Sequence, residues 1–238
     1  METQTGHQHL LSKMIAEINQ IFSEIGFEFA EGPERELVSY NFDKLNVPKD
    51  HPSRDMQDTF YLAGEGDVVM RTHTSPVQVR YMESHPAPIR MICPGKVFRN
   101  EATDATHEAQ FFQLEGLMVD RDISLAHMKG VLEYFFSKFF EGSVEVRFRP
   151  SFFPFVEPGV EVDMMIAKNA QNKLSGRWIE IMGGGMVHPS VLRAGGIDPA
   201  VYQGFAFGMG VDRLAVLKYG IDDIRNMYNG DLRFVNQF

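Results

Sequence analysis

The chain has 238 residues, 44% of them hydrophobic and 23% charged, a balance that suits one globular domain with a sizeable core. Its net charge of −9 excludes a protein that grips nucleic acid over its whole surface, so an RNA partner must meet a local patch or another subunit. The single cysteine, Cys93, excludes an intrachain disulfide framework and fits a reducing, cytoplasmic setting; no apolar run is long enough to span a bilayer.

Residues 7–26 carry Leu10, Leu11, Met14, Ile15, Ile18, Ile21, Phe22 and Ile25 at helical spacing, and Gly26 is placed to end that helix. Phe27 to Ala30 read as a short strand running into Gly32-Pro33. The stretch from Pro48 to Met56 reads as loop, and 60–62 with 68–70 as a hairpin about Gly64–Asp67. Ser75 to Glu83 is predicted helical, with Ser75 as N-cap and Pro76 in the first helical position. Strands are predicted over 89–93, 97–101 and 111–119, then an amphipathic helix over 124–140, then strands near 144–149, 160–166 and 177–182. Gly204 to Val211 is a further strand, followed by a helix from Asp212 to about Tyr219. Hairpin-joined strands with a few helices mean a single α+β domain, 1–238, around an antiparallel β-sheet flanked by helices.

The strand at 204–211 is unusual. Alternation puts Phe205, Phe207, Met209 and Val211 on one face and Gly204, Ala206, Gly208 and Gly210 on the other. A bare strip backed by a packed one lets a flat ligand lie against a sheet, and Arg213 follows it where a cation can meet a phosphate. The common phosphate-binding loops of parallel sheets are missing from the sequence, and Gly183-Gly184-Gly185 reads as a run rather than as one of them. A second polar set lies around the polar loop 103–108: Arg99 and Glu101 on one strand face, Phe111, Gln113 and Glu115 on the next. Carboxylates and a glutamine can receive an ammonium group, and an arginine fork suits a phosphate.

These segments resemble the three motifs of class II aminoacyl-tRNA synthetases, in order: about 7–33, about 90–119 and about 204–219. The stretches Arg54–Phe60, Arg71–Pro76, Phe153–Pro158 and Gly185–Pro189 are similar to those of the alpha subunits of bacterial phenylalanyl-tRNA synthetases, and the likeness runs from about Gly6 to Phe238. The resemblance implies a class II catalytic core that joins L-phenylalanine to ATP as phenylalanyl-adenylate with Mg2+, and passes it to tRNA(Phe) with tRNA-binding parts or a partner subunit. Arg99, Glu101 and Arg213 are then catalytic. In the resemblance Arg99 holds the α-phosphate of ATP, His107 touches the polyphosphate, and Arg213 reaches the γ-phosphate and stacks over the adenine, whose other face meets Phe111.

His73, Ser75, Gln78, Glu101, Gln113 and Glu115 meet the amino and carboxylate end of the amino acid. Phe153, Phe155 and Val156 form the side-chain pocket, with Ala206 and Gly208 as its floor; two phenylalanines can pack edge-to-face on a substrate ring. Glu157 corresponds to the magnesium ligand, at a site shared with the beta subunit. The family's alpha subunits assemble with beta subunits into a heterotetramer and begin with a coiled-coil arm, which is missing from this sequence. The helix and strand of 7–33 correspond to the subunit interface, so a homodimer through that segment is expected of the isolated chain. Two other readings are a stand-alone amino-acid-adenylating paralogue and a non-catalytic interaction subunit.

Overall fold

The computed structural model describes residues 6, 8–105, 107–167 and 176–238; His7 and Thr106, which fall in the segments read above as helix and loop, lie outside them. Its centre is a seven-stranded sheet in the order β1-β4-β5-β9-β8-β7-β6. The strands are β1 (Glu28–Phe29), β4 (Ile89–Phe98), β5 (Gln110–Asp120), β6 (Val144–Phe153), β7 (Val156–Ile166), β8 (Trp178–Val187) and β9 (Gln203–Gly210); β2 (Arg35–Leu37) and β3 (Val68–Met70) pair separately. All neighbours in the large sheet are antiparallel except β1, which pairs parallel to β4, so the sheet is mixed rather than antiparallel throughout.

Helices cover both faces. On one side α1 (Leu10–Ser23), α4 (Leu125–Phe139) and α6 (Val211–Tyr219) enclose the larger core, which includes Phe22, Phe135, Phe205 and Phe207. The rings of Phe22, Phe135 and Phe207 stack at 4.8 and 5.9 Å, an arrangement that adds to the gain from burial. On the other side lie α3 (Ser75–Ser84) and α5 (Pro189–Ala194), with α2 (Val38–Asn41) against α3; the core there includes Val77, Met91, Leu117 and Ala206. A last short helix, α7, spans Leu232–Val235.

The alternation in β9 holds: Phe205, Phe207, Met209 and then Val211 enter the larger core, while Ala206 joins the opposite one. Gly116 on β5 is required by this packing, because a Cβ there would come within 2.3 Å of the Phe207 ring.

Four local readings change. The strands expected at 89–93 and 97–101 are one strand, β4, which ends at Phe98. Pro94 is tolerated because β4 has by then run past its two-residue neighbour β1, leaving an edge that needs no N–H. Arg99 and Glu101 therefore lie beyond the strand; Arg99 N–H still donates to Ala109 at 2.9 Å, but the chain turns, with Glu101 N–H donating to the Arg99 carbonyl. Ser75 is not the N-cap of α3: Thr74 takes that position and Ser75 begins the helix, its hydroxyl engaged elsewhere. Finally, the 60–62 and 68–70 segments do meet, through a Tyr61–Val69 bridge, but the fuller partner of β3 is β2, which alternation over three residues was too short to reveal.

Candidate active site

Two cavities open on the α3 side and the adjoining end of the sheet, and they share Arg99 and Glu101. The larger, about 640 Å³, is of the size that takes a small ligand. Its floor is glycine-rich on two neighbouring strands. Gly183 of β8 pairs with Gly208 of β9, and Gly184 with Phe207. Ala206 and Gly208 line the cavity, and Gly183 and Gly184 line it with them. The triple-glycine run is thus the second half of the bare floor; the signal was a second stretch without side chains, legible only once the pairing register is known.

Phe153 and Phe155 stand over this floor with ring centroids 6.0 Å apart. The Phe153 ring occupies the space above Gly183, where an added Cβ would lie 2.7 Å from it. Val156 does not reach the cavity. It is 3% exposed and packs into the core on the α3 side, because alternation turns it away from the wall that Phe155 forms.

The other end of the cavity is polar. Glu115, on β5, is buried and accepts from Thr74 N–H at 3.0 Å, Ser75 Oγ at 2.5 Å and Gln78 Nε2 at 2.7 Å. Burial nevertheless dominates and lifts its carboxyl to about 7. Gly208 leaves room for it, since a Cβ there would stand 3.1 Å from Glu115 Cγ. Gln113 Oε1 and His73 Nδ1 are buried and have no partner among the described residues. Buried polar atoms are seldom left unpaired, so Gln113 Oε1 points to a ligand that donates a hydrogen bond and His73 Nδ1 to a polar partner. Burial, then the nearby Arg99 and Arg71, hold His73 down at about 3, so its ring stays neutral and does not act as a base near neutral pH.

The second cavity, about 310 Å³, is lined by His107, Phe111, Gly210 and Arg213 together with the shared Arg99 and Glu101. Arg99 is anchored by Nε to the Thr72 carbonyl at 3.1 Å, stands 4.0 Å from Glu101, and lies over the Phe111 ring at 5.1 Å. Arg213, in the first turn of α6, donates from Nε and Nη2 to the Glu180 carbonyl, which leaves its charge without a counter-ion in those bonds. His107 contacts Asp104 at 3.1 Å from the cavity rim.

Glu157 lies apart from both cavities. Its side chain is 75% exposed and faces His188 Nε2 at 3.4 Å. Among the described residues no cluster of three histidine, cysteine or acidic side chains is placed to hold a metal ion. Among the described residues, too, no helix is long and apolar enough to cross a membrane.

Residues 1–238 match the family described as tRNA synthetases class II core domain (F). The phenylalanine–tRNA ligase alpha subunit of Bacillus subtilis is 54% identical over 239 residues, covering 98% of this chain and 69% of the relative. That of an Exiguobacterium species is 55% identical with the same coverage. The pyrrolysyl-tRNA synthetase of Desulfitobacterium hafniense superposes with a TM-score of 0.71 over 94% of this chain and 74% of its own, at 19% identity, a likeness of fold alone. The chain belongs to the class II aminoacyl-tRNA synthetase core family, among the phenylalanine–tRNA ligase alpha subunits.

Proposed function

We propose that this chain, as one catalytic unit over 1–238, condenses L-phenylalanine with ATP to phenylalanyl-adenylate and, with a beta subunit, transfers the phenylalanyl group to tRNA(Phe). The observation that carries this reading is the pair of cavities meeting at Arg99 and Glu101: one aromatic and glycine-floored, the other lined by Phe111 and Arg213. The phenylalanine ring lies over Ala206, Gly208 and Gly183 against Phe153 and Phe155. Its ammonium group faces Gln113 and Glu115, with Ser75 and Gln78 holding that carboxylate and neutral His73 beside it. Adenine lies between Phe111 and Arg213, and His107 meets the polyphosphate.

One carboxylate oxygen of phenylalanine attacks the α-phosphorus; the bond to the bridging oxygen breaks and pyrophosphate leaves with its electron pair. No base is needed, because the carboxylate is already ionised. Arg99, fixed on the Thr72 carbonyl, stabilises the negative charge that grows on the α-phosphoryl oxygens. Magnesium accompanies the ATP phosphates, and Glu157 serves as a cation ligand only with groups from outside this chain, as its exposure allows. The negative net charge of the chain is consistent with tRNA being held mainly by the partner.

The test is phenylalanine-dependent ATP–pyrophosphate exchange by the chain with its beta subunit. Exchange is expected, and Arg99→Ala is expected to slow it about a hundredfold or more. Absence of exchange in the intact assembly refutes the reading. The presence of both Arg99 and Arg213 in the shared cleft favours it over a non-catalytic role.

A further inference from the structure

The stretch that follows α6 belongs to none of the three motifs, yet it walls one side of the second cavity through Ile221, Asp222 and Ile224. Gly220 makes this return possible: it sits at φ +67°, a left-handed conformation that lets the chain leave α6 and fold back. Two bonds then tie the stretch to the cavity. The N–H of Ile224 donates to the carbonyl of Ala105 at 3.1 Å, and so holds the loop that carries His107. The hydroxyl of Tyr228 donates to Asp212 Oδ1. At its far side the Met227 carbonyl lies 3.0 Å from His9 Nε2, which fastens the stretch to the start of α1.

Asp212 is the junction. It is 4% exposed, and its second oxygen accepts the N–H of Phe112 at 2.8 Å. Phe112 directly follows Phe111, and Arg213 directly follows Asp212. One carboxylate therefore ties the strand residue next to Phe111 to the helix residue next to Arg213. A buried carboxylate is costly unless donors surround it, so the Tyr228 hydroxyl is part of what keeps Asp212 charged and in place.

We propose that Tyr228 is a positioning residue for the planar base of the nucleotide: through Asp212 it fixes the gap between Phe111 and Arg213, while Ile224 pins the loop beside them. The proposal rests on the reading of the second cavity as the ATP site. Calorimetric titration of the full chain with a non-hydrolysable ATP analogue, and separately with phenylalanine, tests it. Tyr228→Phe is expected to weaken analogue binding about tenfold, the scale of one lost hydrogen bond to a charged group, and to change phenylalanine binding less than about twofold. With Phe111→Leu already present, Tyr228→Phe is expected to add less than about twofold, since both act on the same gap.

If Tyr228→Phe does not fold, Asp212→Asn serves: it keeps the size of the side chain, removes the charge that the Tyr228 hydroxyl and the Phe112 N–H meet, and is expected to weaken the same ligand. Equal analogue binding by wild type and Tyr228→Phe overturns the proposal, as do an equal loss for both ligands and fully additive effects. A wild-type chain that binds no analogue removes the underlying reading as well, and is told apart because the loss precedes any substitution.

Discussion

Glu115 combines deep burial with three donors, and the balance leaves its carboxyl at about 7, well above its ordinary 4.5. Near neutral pH it is therefore poised between charged and neutral, unlike an exposed carboxylate. Raising the pH through about 7 ionises it, and the new negative charge draws the substrate ammonium group toward Gln113 and Glu115. Lowering the pH restores the neutral acid and weakens that attraction. Phenylalanine is thus expected to bind about tenfold more tightly at about pH 8 than at about pH 6. Glu115→Gln is expected to flatten the difference. Calorimetry at the two pH values decides: a wild-type profile as flat as the variant's contradicts the assignment.

At the scale of elements, the floor of the larger cavity depends on β8 and β9 presenting glycines in register, Gly183 beside Gly208. Gly183→Ala places a methyl group where the Phe153 ring now lies, and the ring has to swing toward the ligand space. The expected result is a rise of about tenfold or more in the KM for phenylalanine in the exchange reaction, an unchanged KM for ATP, and a stability loss of about 1–3 kcal/mol from overpacking. Equal shifts of both KM values contradict this placement. The two strands also show what sequence can reveal. The strip in β9 was legible because bulky and small residues alternate strictly over eight positions. The run in β8 has three glycines in succession, so no alternation marks which of them faces a ligand. Likewise Arg99 and Glu101 stand out in the sequence as a polar pair, but not the turn that places them, because a turn closed by backbone bonds to Ala109 and Asp58 leaves little trace in side-chain pattern.

At the scale of the whole molecule, the buried face of the first helix plays a different part from the subunit contact that the family resemblance implies for the segment 7–33. Leu10, Leu11, Met14, Ile18, Ile21 and Phe22 are all buried in the chain's own core, so that face is not left over for a second copy. Periodicity identified the helix and its buried face correctly; it could not say whose core the face enters. The dimer surface we propose is the neighbouring sheet edge at β1, where Phe29 stays 46% exposed. Ile18→Ala is then expected to destabilise the fold by about 2–5 kcal/mol, as cavity-forming core substitutions do. Phe29→Asp is expected to leave the melting temperature within a few degrees and to lower the mass seen by light scattering. A monomeric wild-type chain at micromolar concentration contradicts the proposed surface.

The central claim is that the two cavities are the two halves of one site, joined at Arg99 and Glu101. A crystal structure with a non-hydrolysable phenylalanyl-adenylate analogue tests it most directly. The account predicts the phenyl ring on Ala206, Gly208 and Gly183 between the walls formed by Phe153 and Phe155, the adenine between Phe111 and Arg213, and the phosphate mimic within hydrogen-bond distance of Arg99. An analogue lying wholly within one cavity, or with its ring in the smaller one, contradicts it.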